Sequence, residues 1–144
     1  MSPQDPSIVG HWRLVSTRAW AEDGSDVAET YGPIPLGIVT LTDQGRMLAV
    51  LSDGRPDLPP GTPRAYRSYM GAYRFDGTTL HTVVDGADTP DWLGSGQVRQ
   101  ARFEGGRMYL RPPPRTIAGR LVHRELAWER LVPETAANAA KETP

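Results

Sequence analysis

The connections in this chain alternate between two kinds, and that alternation constrains the fold more than any composition does. Tight turns stand at Thr42-Asp43-Gln44-Gly45, Asp76-Gly77-Thr78 and Glu104-Gly105-Gly106-Arg107. Long connections, rich in Gly, Pro and Asp, stand between them at roughly residues 21–36, 53–65, 86–95 and 112–120. In an up-and-down antiparallel sheet, successive connections fall at opposite ends. Every tight turn therefore lies at one end and every long loop at the other. A sheet of this kind closed into a barrel is a cup, shut below and rimmed by loops above, and such cups hold small molecules.

Segments between these connections alternate apolar and polar residues with a period of two. Strands are expected at 11–20, 37–42, 46–52, 66–75, 79–85, 97–104, 107–111 and 121–131, with room for one extra short strand at 26–30. No segment keeps a helical period over three turns. Eight is an even number, so the first and last strands can pair antiparallel and close the sheet around space for one small ligand. The expected fold is all-β, an eight-stranded up-and-down antiparallel barrel with an internal cavity. Residues 1–9 read as a flexible lead-in, 10–132 as the barrel, and 133–144 as a disordered or short helical tail. In the first strand the alternation puts Trp12, Leu14, Ser16, Arg18 and Trp20 on one face. Strand counting also brings Trp12 and Arg130 together at the closed end, where a guanidinium can cover an indole face.

Pairing across the tight turns sets the inward face. Phe103 lies opposite Met108 across Gly105-Gly106, and the same spacing sets Phe75 opposite Leu80. Tyr69, Gly71, Tyr73 and Phe75 then point inward, with Leu80, Thr82 and Val84, and with Gln97, Arg99, Ala101 and Phe103. Distance from the turns gives depth. Phe75, Leu80, Phe103, Met108 and Trp128 are deep, whereas Arg67, Tyr69, Gln97 and Arg99 sit near the mouth beneath loops carrying Tyr31 and Trp92. An apolar floor and a polar rim suit an amphiphilic ligand entering tail first.

Bulk properties exclude several other classes. A chain of 144 residues with net charge −1 makes one domain and has no general drive toward nucleic acid or anionic membrane. The absence of cysteine excludes disulfides, thiolate metal sites and a cysteine nucleophile. No apolar run approaches the roughly 20 residues of a membrane span. The N-terminus lacks a secretory pattern, so a cytoplasmic location is expected. His11, His81 and His123 have no ligand-like spacing, and Asp85, Asp88 and Asp91 lack the Gly and Glu of a calcium loop; neither a metal nor a cofactor is expected. Barrels of this size can also pair through their outer faces, which leaves a homodimer open.

Several motifs carry a family resemblance. Gly10-His11-Trp12-Arg13-Leu14-Val15-Ser16, the Tyr31-Gly32 loop, Asp43-Gln44-Gly45-Arg46-Met47, Tyr69-x-Gly71-x-Tyr73, Asp91-Trp92-Leu93-Gly94 with Gln97-Val98-Arg99, and Leu126-x-Trp128-Glu129-Arg130 follow one another in order. Together they resemble the bacterial and fungal lipocalin-like domain family over about residues 8–132. The resemblance implies a small β-barrel with an internal cavity. It also implies relatives among ligand carriers and cofactor-free cyclases or isomerases of natural-product pathways. A His pair frequent in that family falls here on Thr82 and Val83, with His81 displaced by one.

The candidate residues divide by chemistry. Arg99 can fork onto a ligand carboxylate, enolate or carbonyl with Gln97 beside it, or it can pair internally with Asp85 or Glu129. Tyr69 is a general acid or hydrogen-bond donor, or a core tyrosine bonded to a backbone carbonyl. His81 is the acid–base candidate by chemistry, although the hairpin pairing points it outward unless a bulge intervenes. Tyr31 and Trp92 either cap the cavity or anchor their loops. Arg67, Tyr73, Thr82, Val84 and Phe103 complete the expected ligand wall. Two functions follow: binding of a small, largely hydrophobic or amphiphilic molecule, or cofactor-free cyclisation or isomerisation of a polyketide- or terpenoid-like intermediate by positioning and hydrogen-bond donation.

Overall fold

The computed structural model describes residues 5–131. Nine strands follow one another: β1 (Gly10–Ala21), β2 (Pro35–Leu41), β3 (Arg46–Asp53), β4 (Tyr66–Phe75), β5 (Thr79–Ala87), β6 (Gly96–Glu104), β7 (Arg107–Arg111), β8 (Arg115–Ile117) and β9 (Arg120–Arg130). Strands β1 to β7 pair antiparallel in chain order, β7 pairs with β9, and β9 closes on β1. The result is a closed eight-stranded barrel. Strand β8 lies outside the ring, on the edge of β9. The extra strand therefore falls inside the segment read as the last long loop, and the 26–30 region supplies only an isolated bridge, Trp20 to Asp26. No helix among the described residues is long and apolar enough to cross a membrane.

The turns show why the hairpins register as they do. Gly105 and Gly106 both take positive φ, 59° and 79°, the pair of left-handed conformations that a two-residue turn matching strand twist requires. Phe103 then faces Met108 across that turn, and Phe75 faces Leu80 across the one before it. At the latter, the Asp76 carboxylate accepts from the backbone N–H of Thr78 (2.9 Å) and Thr79 (2.8 Å) and holds the reversal. Alternation then buries Tyr69, Gly71, Tyr73 and Phe75 on β4 and Leu80, Thr82 and Val84 on β5.

One strand departs from simple alternation. A β-bulge between Leu14 and Ser16 shifts the pairing of β1 with β9, so the inward parity changes at Val15. Trp12 and Leu14 are buried, but beyond the bulge the buried residues are Ala19 and Ala21 rather than Arg18 and Trp20. Trp20 stands on the outer face, stacked on His123 at 5.7 Å with the Arg18 guanidinium 4.7 Å from its ring. The period-two reading of that strand holds only for its first half, because one inserted residue flips every later side chain.

The closed end is tighter than a row of turns. Trp12 pairs directly with Arg130, whose guanidinium lies 4.2 Å from the indole centroid. Arg130 also donates to the carbonyls of Val9 (2.5 Å) and Ser7 (2.9 Å), and the Trp12 indole donates to Ile8 O at 3.0 Å. Gly10, at φ 144°, is obligatory here: a Cβ would fall on the Arg130 guanidinium. Pro6–Ile8 form a short 3-10 turn and Ile8 is fully buried. Residues 5–9 thus plug the floor, where a loose lead-in was expected. They do so because Ile8 needs cover and their carbonyls find the arginine. The tail at 133–144 lies outside the described residues.

Candidate functional site

At the opposite end, three of the four long connections contribute to the wall of a cavity of about 120 Å3. Its apolar wall comes from alternate inward residues of adjacent strands: Val39, Met47, Ala49, Leu51, Leu110 and Trp128. Its mouth is formed by Tyr31 from the first long loop, Trp92 from the third, Tyr69 on β4, and four arginines, Arg67, Arg99, Arg115 and Arg124. Among the described residues no aspartate or glutamate lines it.

The arginines differ in what they hold. Arg67 is engaged twice, by Asp88 at 3.3 Å and by the Trp92 ring at 4.1 Å. Arg99 donates to Val98 O (2.9 Å) and to the Gln97 side-chain oxygen (3.3 Å), both neutral. The two internal partners considered for it are taken: Asp85 grips Arg46 through two bonds of 2.6 and 2.8 Å, and Glu129 pairs with Arg13. Arg124 is half-buried and makes no hydrogen bond or ion pair among the described residues. Burial lowers its proton affinity, and the neighbouring charges of Arg115 and Arg99 lower it further. It remains a cation, since a guanidinium does not deprotonate in proteins.

Two tyrosine hydroxyls complete the mouth. Tyr69 is 6% exposed, packs its ring on Trp92 at 5.1 Å, and its hydroxyl has no hydrogen-bond partner among the described residues. The Tyr31 hydroxyl likewise has none. Burial raises the pKa of both phenols, so each keeps its proton and is a donor at neutral pH. Deeper, Trp128 is buried, and its indole N–H, a third donor on a cavity-lining ring, has no partner among the described residues.

A hydrogen-bonded chain positions this mouth. Ser95 donates to Trp92 O at 2.6 Å, Gln97 donates to the Ser95 oxygen at 2.9 Å, and Arg99 donates to Gln97. The loop bearing Trp92 is thereby tied to the arginine on β6. Beside the rim, Asp53 accepts from Arg55 at 2.6 Å, and Arg64 donates to Asp53 O at 2.8 Å, which braces the Pro-rich 53–65 loop. Arg55 holds the Asp53 carboxyl below its ordinary value.

Among the residues expected at the site, Tyr31, Arg67, Tyr69, Trp92 and Arg99 meet at the cavity. The others lie elsewhere. Tyr73, Thr82 and Val84 are buried in the barrel off the cavity wall, with the Tyr73 hydroxyl bonded to Thr42 O (2.6 Å) and the Thr82 hydroxyl to Met47 Sδ (2.9 Å). Gln97 acts on the site through Arg99. Phe103, 40% exposed, packs on Trp12 and Phe75 beside the floor. His81 faces outward, opposite Arg74 and Val98 in the sheet. Sequence reading missed Arg115 and Arg124. Arg124 was reachable by counting back in twos from the inward Trp128; Arg115 sits on β8, which gave no alternation signal.

No curated protein and no solved structure matches the chain. A family model for the lipocalin-like domain does match, over residues 9–131, nearly the whole of the ring and its loops. With that match spanning the closed barrel and its loop-rimmed cavity, the chain belongs to the lipocalin-like domain family.

Proposed function

We propose that this barrel binds a small amphiphilic molecule, its apolar part against Val39, Met47, Ala49 and Leu51 and its polar part among the mouth residues. The observation that carries this reading is the grading of one cavity from an apolar wall to a rim of donors, of which Arg124 and the Tyr31 and Tyr69 hydroxyls have no partner among the described residues. An engineered apolar cavity of about 150 Å3 takes benzene. The volume of about 120 Å3 here suits a buried part of roughly one ring or a short chain. Ligand-observed NMR with one-ring and short-chain amphiphiles tests it, alongside Ala49→Phe, which fills the cavity from a buried wall position. Saturable binding lost in a folded Ala49→Phe variant is expected. Binding that survives the filling, or no binding by any member, overturns the proposal.

A second reading, cofactor-free isomerisation or cyclisation of a natural-product intermediate, is favoured by one observation: the protonated Tyr69 hydroxyl has no hydrogen-bond partner among the described residues and feels the charge of Arg99. Such a pair can deliver a proton and stabilise a developing enolate. The small cavity limits the reaction to a part of the substrate about one ring in size. Turnover lost in Tyr69→Phe with binding retained supports it; equal turnover in that variant sinks it.

A further inference from the structure

We infer that the ligand carries one anionic head group, a carboxylate or a phosphate-like oxyanion, held at the mouth by Arg99 and Arg124 with the Tyr31 and Tyr69 hydroxyls. This rests on the amphiphile-binding reading above and narrows it to a charge class.

The argument is one of unmatched charge. A half-buried guanidinium loses water and needs an anion or a set of acceptors in its place. Arg124 has neither among the described residues, although it shares the mouth with Arg99 and Arg115. The nearby carboxylates are committed elsewhere: Asp88 to Arg67, Asp85 to Arg46, Glu129 to Arg13, and Glu125 to Arg102 and Arg111. Glu29 lies across a narrow side pocket beside Arg124 and forms no ion pair with it. The cavity thus collects like charges without a counter-charge of its own, an arrangement that disfavours the empty protein and is relieved by a bound anion. The donors also fit. Guanidinium forks match the geometry of carboxylate and phosphate oxygens, and a protonated phenol donates to either. A neutral carbonyl could accept these hydrogen bonds but would leave the charge unmatched. A cation would be repelled.

Calorimetry on the full chain with four matched probes tests this: 3-phenylpropionate, 3-phenylpropylphosphonate, 3-phenylpropan-1-ol and 3-phenylpropylamine. At least one anion is expected to bind about tenfold or more tightly than the alcohol, as for one added charge-assisted hydrogen bond, with the amine weakest. The tighter of the two anions names the head group. Arg124→Met and Arg99→Met should each bring the anion-over-alcohol ratio most of the way to one, and Arg124→Lys should restore part of it. The anion-over-alcohol ratio in the unaltered protein, and its fall with added salt, remain decisive even where a variant fails to fold. Equal binding of alcohol and anions overturns the charge class and leaves the amphiphile reading standing. Binding of none of the four overturns both.

Discussion

The two ends of this barrel use the same residue types to opposite purpose. At the floor, the Trp12 N–H reaches Ile8 O, Arg130 reaches Val9 O and Ser7 O, and the Tyr73 hydroxyl reaches Thr42 O. At the mouth, Trp92 packs on Tyr69 and Arg67, and neither Arg124 nor the Tyr69 hydroxyl has a partner among the described residues. Tryptophan, arginine and tyrosine are thus structural where the chain supplies their partners and available where it does not. Residue type does not separate the two roles; satisfaction of polar groups does.

The sharpest way to break this contrast is to truncate at the floor. Trp12→Ala removes a ring that is 3% exposed, and should cost about 3–5 kcal/mol by urea denaturation. A loss below about 1 kcal/mol would show that the floor is not the structural end. Arg130→Met comes next: it strands two carbonyls and uncovers Trp12, for about 1–3 kcal/mol. The paired tyrosines follow. Tyr73→Phe should lose about 1 kcal/mol with its bond to Thr42 O, and Tyr69→Phe close to nothing. Equal losses would erase the distinction between the ends. Arg124→Met should leave stability within about 0.5 kcal/mol or raise it, since it removes a charge among like charges.

The smallest effect concerns a carboxylate that is satisfied beside the rim, Asp53. Asp53 has its pKa depressed by Arg55, so its contribution is present above the ordinary carboxylate value, about 4, and is lost as pH falls through the depressed one. Melting temperature should decline over that acid window, and Asp53→Asn should flatten the decline. An unchanged slope in that variant would assign the acid loss to other groups.

Much of the floor was legible in the sequence and less of the mouth, for a physical reason. The floor follows from turn spacing and period two, which are local: Phe75 opposite Leu80, Phe103 opposite Met108, and Trp12 opposite Arg130 all emerge from counting. The mouth is built by loops and by departures from counting. The bulge at Val15 moved Arg18 and Trp20 to the outer face, and β8 brought Arg115 to the rim from a Pro-rich segment. Arg124 obeyed the period but stood in a strand judged mainly by Trp128. What no local pattern carries is whether a polar group finds a partner, as with Arg99, whose expected counter-ions turned to Arg46 and Arg13.

The bond from Arg130 to Val9 O spans 121 positions of sequence. The barrel therefore cannot close until nearly all of it is available, because the floor is sealed by contacts between Ser7 and Val9 at one end and Arg130 at the other. Folding of such a sheet must meet the entropy of a loop almost as long as the domain before that contact forms, which places the protein among slow, high-contact-order folders. A nascent chain lacking β9 has neither the sealed floor nor Arg124, so the cavity is complete only after synthesis of the barrel is essentially finished.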